Sequence, residues 1–318
     1  MDILLSFLAR LLVLILQSLP LTWVARLGRI FGILAYALDG RHRRVANRNL
    51  AMCLGNEKSP AELRALAREN FRRIGENFAC AVKTASMTLD EIRKHVEFVV
   101  PPQILTPPAG QPPRSVVAAI GHFGNFELYA RFGQFAPAYK AGTTYRGLRQ
   151  PSLNRLLQSL RERSGCLFFE RRFEAAALKN FINQPGIMLG LLSDQNGGPH
   201  GLRLPFLGHN CSTSPASALF ALRYDCALIT GICYRIGLAR WRIEGSPEIP
   251  TRDNGQPRST AAIMLDVNRA FEAAVRRDPA NWFWVHNRWK QATFRHPQPQ
   301  LQTSDSTRSE AAPMEAAE

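Results

Sequence analysis

From Ile3 to Leu38 the chain is apolar almost without a break. From Ser59 to Lys83 apolar residues recur at helical spacing, and from Val96 onward short apolar runs alternate with amphipathic stretches. The first region holds two stretches: Ile3–Leu19, interrupted by Arg10 and lightly by Ser6 and Gln17, and Leu21–Leu38, interrupted by Arg26 and Arg29. Neither is a clean run of about 20 apolar residues. The pair reads as a retained helical membrane anchor, single-pass or lying on the bilayer, with a buried helical hairpin as the alternative. A cleaved signal is disfavoured, because Met1-Asp2 is acidic where a signal has a basic start and no small-residue cleavage site follows.

The helix predicted over Ser59–Lys83 has Pro60 near its start and apolar positions at Leu63, Leu66, Ile74 and Phe78. Beyond it, Val96–Val100, Ser115–Ile120, Ala141–Tyr145, Leu167–Glu170, Ile187–Leu192 and Leu228–Tyr234 read as strands. Ser152–Arg163, Phe173–Asn183, Ser214–Tyr224 and Ala261–Arg277 read as helices. Such alternation predicts an α/β fold with a mixed, mostly parallel sheet flanked by helices behind an N-terminal helical anchor. Pro101–Arg114 is a proline-rich loop between the first two strands. The predicted organisation is an apolar and basic segment over 1–50, an α/β domain over 51–295 and a disordered acidic tail over 296–318.

Composition sharpens this picture in two places. With 318 residues, 46% of them apolar, the chain can bury a sizeable core. The net charge of +15 requires an anionic partner: lipid, nucleic acid or acidic protein. Arg41, Arg43, Arg44 and Arg48 follow directly on the apolar stretches, which favours anionic headgroups at a membrane surface. No aromatic platform or recognition motif accompanies them, so no nucleic-acid partner is expected. The six cysteines lack CxxC spacing and read as buried thiols in a reducing compartment. HExxH and GxSxG are absent, which removes the main support for zinc-protease and α/β-hydrolase chemistry.

The stretch VVAAIGHFGNFELYARF, 116–132, places His122 at a strand-to-helix turn between Gly121 and Gly124, with Asn125 as N-cap and Glu127 in the first turn of a helix over Phe126–Phe132. On one continuous helix, residues five apart point about 140° away from each other. Across a strand, turn and helix they can meet. The expectation is that Glu127 fixes the His122 tautomer and that His122 acts as general base towards a hydroxyl. Arg146, Arg149 and Arg161, in TYRGLRQPSLNRLLQSLRERSG, are candidates for an acidic headgroup or phosphopantetheine. Asp194 ends an apolar strand, where open α/β sheets bind ligands, or else merely caps the loop after it. NWFWVHNRWK, 281–290, reads as a membrane-interface cluster in which Trp284 packs on the core. Two rival classes remain: a metal-dependent phosphoesterase with His122, Glu127 and Asp194 as ligands, and a noncatalytic membrane or nucleic-acid binder.

GHFGNFE, TYR, LRERSG, SDQNGG, LPFLG and WFWVHNRWK occur in the order seen in the lipid A biosynthesis acyltransferases, the lauroyl and myristoyl transferases, and the chain resembles that family from its N-terminus to Lys290. The resemblance implies a glycerol-phosphate acyltransferase-like α/β fold at the cytoplasmic face of the bacterial inner membrane. It implies His122 and Glu127 as the catalytic pair, and Arg161 and Asp194 at positions tied to substrate binding or site integrity. No cofactor is implied, since the acyl-phosphopantetheine thioester is a substrate. The implied partners are acyl carrier protein or acyl-CoA as donor and a lipid A precursor or other anionic lipid as acceptor. Phe126 replaces a frequent tryptophan, Asn287 a frequent arginine, and PFLG the common PFFG. These departures bear on donor chain length and acceptor headgroup more than on the chemistry.

Overall fold

The structure, a computed structural model, describes residues 2–102 and 112–290. Most of the Pro101–Arg114 loop and the predicted acidic tail lie outside these residues. The N-terminal part is helical: α1 (Asp2–Ser18), α2 (Leu21–Leu38), α3 (Gly40–Leu54) and α4 (Pro60–Ser86). A Ser59–Glu62 capping box and Pro60 in the first turn set the start of α4. α2 packs along α4 through a stripe of Leu21, Val24, Ala25, Gly28 and Gly32.

The expected mixed, mostly parallel α/β sheet is present. The strands are β1 (Val96–Val99), β2 (Val116–Ile120), β3 (Lys140–Tyr145), β4 (Leu167–Glu170), β5 (Ile187–Leu192), β6 (Leu202–Phe206), β7 (His209–Thr213), β8 (Ala227–Gly237) and β9 (Arg240–Gly245). Seven of them form one sheet in the order β1-β9-β8-β2-β5-β3-β4, parallel throughout except where β8 meets β9. β2 has every residue buried, because it lies between two parallel neighbours and both its faces are covered. One face carries the main core under the helices Ala216–Arg223 and Thr260–Arg277, with Val117, Leu189 and Leu228 set against Phe271. The other face carries Ala118, Met188 and Ile229 towards Phe132 and Tyr139.

Two local expectations need correction. Phe126–Arg131 is a 3₁₀ turn, followed by a single α-helical turn, Phe132–Phe135. Tertiary contacts hold this tighter path: the Arg131 guanidinium donates to the carbonyls of Thr84, Ala85 and Arg163, and the Tyr129 hydroxyl donates to Gly231 O. Asn125 stands at the cap position but makes no side-chain capping bond. The glycine-rich stretch after Asp194 leads into a β6–β7 hairpin, which turns on Leu207 and Gly208, both at positive φ. β9, polar at every other position, pairs with β8 and β1 at the antiparallel end of the sheet.

Candidate active site

β2 and β5 run parallel with Ile120 opposite Leu192, so each residue of β2 faces the one 72 positions later. Carried two residues past the strand ends, this register sets His122 beside Asp194. The His122 backbone N–H donates to Asp194 Oδ2 at 2.8 Å, and His122 Nδ1 lies 2.8 Å from Asp194 Oδ1. Gly121 makes the approach possible: a Cβ there would meet the Phe123 ring at 2.6 Å and Asp194 Cγ at 3.2 Å. Gly124 adopts φ +51° against the Cys233 carbonyl, which turns the chain sharply after His122.

Asp194 is buried, and the Trp282 indole N–H also donates to its Oδ2 at 2.8 Å. Burial works against its charge, but attraction to a protonated His122, the two hydrogen bonds from His122 and the Trp282 N–H outweigh it. The carboxyl is held below the ordinary aspartate range. As an ionised acceptor, Asp194 takes the proton on Nδ1 and leaves Nε2 as the basic nitrogen of the ring. The ring is steadied by Phe126, 4.8 Å away between centroids, and by Phe283 at 5.8 Å. Gln195 Nε2 lies 3.4 Å from His122 Nε2.

Glu127 does not orient His122, contrary to expectation. Its carboxylate accepts from Arg161 Nε at 3.1 Å and Nη2 at 2.6 Å, a two-point pair. The physical reason is the 3₁₀ path, which turns Glu127 towards the end of the helix Pro151–Arg161. Arg161 also stacks on Phe168, with Cζ 4.6 Å from the ring centroid, and its Nη1 is buried with no hydrogen-bond partner among the described residues. Arg146 is exposed at the rim of the same cavity, whereas Arg149 is exposed and outside its lining. The proposed metal triad of His122, Glu127 and Asp194 does not converge, since Glu127 faces Arg161; among the described residues no group of three or more His, Cys, Asp or Glu could hold a metal ion.

His122, Glu127 and Arg161 line a cavity of about 920 Å³. Its floor is the sheet face bearing Ala118, Ile120, Met188, Gly190, Ile229 and Gly231, and its walls include Phe98, Phe132 and Phe168. Its lining is mostly apolar, with His122, Glu127, Arg146 and Arg161 among its charged and polar members.

The 281–290 segment is neither helical nor a membrane-interface cluster. Trp282, Trp284 and Arg288 are buried. Two buried asparagines fasten it to the N-terminal helices: Asn49 Nδ2 donates to Trp284 O and His286 O, and Asn70 Nδ2 to Ala280 O and Trp282 O. Arg288 Nη1 donates to the carbonyls of Gln195 and Ser212, which fixes the loop after Asp194. His286, with its pKa lowered by burial, accepts at Nε2 from the Asn196 N–H. Sequence reasoning missed Trp282 and His286 as parts of the site; the only signal was that SDQ and WFWVH are rich in groups that hydrogen-bond when buried.

The sequence profile of the family described as "Bacterial lipid A biosynthesis acyltransferase" matches residues 2–291. The chain belongs to this family. A comparison with curated proteins gave no match. Membership makes the chain an acyltransferase of lipid A biosynthesis.

Within the site, Trp282 supplies a hydrogen bond to a charged acceptor, worth about 1.5–3 kcal/mol. Trp282→Phe is therefore expected to lower kcat by roughly 10- to 100-fold at unchanged acceptor KM, because only the Asp194–His122 unit is disturbed. Steady-state kinetics on folded protein checks this. A full-rate variant would show that the indole N–H is dispensable.

Proposed function

We propose that this acyltransferase moves a fatty acyl group from an acyl thioester on acyl carrier protein to a hydroxyl of a lipid A precursor, with His122 as general base. The observation that carries this reading is the His122–Asp194 pair, with His122 in the lining of a mostly apolar cavity of about 920 Å³. As the acceptor oxygen attacks the thioester carbonyl, His122 Nε2 takes its proton and Nδ1–H stays on Asp194. Collapse of the tetrahedral intermediate breaks the carbon–sulfur bond, and the imidazolium returns the proton to the leaving thiolate. Asp194 stabilises the imidazolium between these steps. No acyl-enzyme is involved.

The acyl chain would lie along the apolar floor, where Gly190 and Gly231 accommodate the Ile120 side chain between them. Arg161, with an unpartnered Nη1 and rigidly held by Glu127, is the candidate contact for a phosphate of donor or acceptor, and Arg146 stands at the rim. Exposed leucines and phenylalanines on α1 and α2, beside exposed Arg41 and Arg44, support work at a membrane surface. That surface would be the cytoplasmic face of the inner membrane, where an acyl carrier protein would be met.

The test is transfer of labelled acyl groups from acyl carrier protein, and separately from acyl-CoA, to Kdo-lipid A precursor by membranes containing the full chain. Transfer from acyl carrier protein is the expected result. Activity with acyl-CoA alone would replace the donor, and transfer to a lysophospholipid or glycolipid in place of the precursor would replace the acceptor.

A further inference from the structure

α2 alone among the described helices has the length and apolarity to cross a bilayer, 18 residues at a mean hydropathy of 1.3. Its packing does not allow it to cross. Just ahead of it, in the last turn of α1, Gln17 donates through Nε2 to Val82 O, and Lys83 Nζ donates to Gln17 O. At its middle, Arg29 pairs with Glu69 at 2.9 Å and with Glu76 at 3.2 Å. Near its C-terminal end, the Tyr36 ring meets Phe71 edge-on at 5.3 Å. The partners descend from 83 to 71 as α2 ascends, so α2 lies antiparallel on α4 over its whole length. Gly28, Gly32 and Gly75 bring the two backbones into contact; a Cβ on any of them would strike the facing main chain.

α4 cannot follow α2 into hydrocarbon. It carries Arg64, Arg68, Glu69, Arg72, Arg73 and Glu76, and each charge at the centre of a bilayer costs about 2.5–3.5 kcal/mol on insertion scales. It is also tied to the active site, through Asn70 to the carbonyls of Ala280 and Trp282, and to β9, through Asn77 Oδ1, which accepts from Trp241 Nε1. Glu76 is fully buried and accepts from Arg29, from Arg235 Nε and from the Ala239 N–H. Pulling α2 away would take from that buried carboxylate the Arg29 guanidinium, one of its three partners. α1 is committed in the same way: Leu16 is buried beside Val24 and Cys80, and the helix packs on Pro151–Arg161 at the roof of the cavity.

We propose that α1 and α2 do not span the membrane but lie on one leaflet as a single apolar plate. This rests on the reading of the chain as a membrane enzyme and specifies how it is held. Leu4, Phe7 and Leu14 on α1 and Trp23, Phe31 and Leu34 on α2 are all 47–65% exposed and would form the plate's lipid-facing surface. A plate of that size left in water would be far outside the norm for a soluble surface. Exposed Arg10 and Arg26 among these residues can snorkel to headgroups from an interfacial helix, and Arg41 and Arg44 follow at its end, which fits an anionic leaflet. The plate is built on the segment of α4, Phe78 to Ala85, that also walls the cavity, so acceptor lipid would enter from the leaflet on which the enzyme sits.

The experiment uses the full chain in bacterial cells, with the partly exposed Cys53 and Cys166 replaced by serine and a single new cysteine at Leu4, Ser18 or Asn56. Sedimentation with membranes is read first, and a wholly soluble chain would overturn the membrane reading itself. A membrane-impermeant maleimide is then applied to intact cells and to inverted membrane vesicles. Expected is no labelling of any position in intact cells, and labelling of Ser18→Cys together with Asn56→Cys in inverted vesicles. Labelling of Leu4→Cys or Ser18→Cys in intact cells, in membrane-bound protein, would mean that a helix crosses and would overturn the single-leaflet arrangement while leaving the enzymatic reading in place.

Discussion

Asp194→Asn is expected to lower kcat about 10⁴-fold while the protein stays folded, the scale seen when a triad carboxylate becomes an amide. The reason lies in the donors around the carboxylate. Oδ2 accepts both the His122 N–H and the Trp282 indole N–H, so the amide oxygen of an asparagine must take that position. The amide NH₂ then faces His122 Nδ1, which can meet it only as an acceptor. The ring proton moves to Nε2, and the nitrogen that should receive the acceptor's proton already holds one. His122→Ala should fall by roughly 10²- to 10⁴-fold, the usual contribution of a general base. Single-turnover acyl transfer with both variants checks the pair. Wild-type turnover in Asp194→Asn would remove Asp194 from the chemistry and reopen the question of what orients the ring.

The second large effect concerns Glu127 and Arg161. Their side chains are 25% and 15% exposed, and the contact is two-point, so removing either one leaves a mostly desolvated charge without its counterion. Glu127→Ala and Arg161→Ala are each expected to lower kcat/KM by about 10²-fold, some 2.7 kcal/mol, carried mainly by the acceptor KM. The double variant should be no worse than either single one, because both act on one unit. A full double-mutant cycle reads this directly. Losses that add, or a Glu127→Ala loss confined to kcat, would return Glu127 to the chemical step beside His122.

The spacing of His122 and Glu127 suggested a local dyad, and the reason it misled is geometric. Five residues can bring two side chains together only if the intervening turn points them at each other. Here the turn is 3₁₀, held by Arg131 and Tyr129 through contacts to α4, Arg163 and β8. The true partner is 72 residues away and is supplied by sheet register. The tryptophans of 281–290 misled in the opposite direction. An aromatic and basic cluster suits an interface as well as a core, and only Asn49, Asn70 and Asp194, all distant in sequence, decide for the core.

What the sequence by itself determined is what local physics controls. Helical spacing and a capping box set α4, continuous β-branched and apolar runs set β2, β5 and β8, and their alternation with helices set an α/β sheet. Ordered motifs were enough for the acyltransferase family. What only the tertiary structure decided is which polar groups meet. His122 gains Asp194 because β2 and β5 are neighbours in register, Glu127 is drawn to Arg161, and the apolar α2 is kept on α4 by close-packed glycines and a buried carboxylate. Hydrophobic periodicity is written residue by residue along the chain, but a hydrogen bond or an ion pair between distant segments depends on strand order and helix docking, which no local stretch encodes.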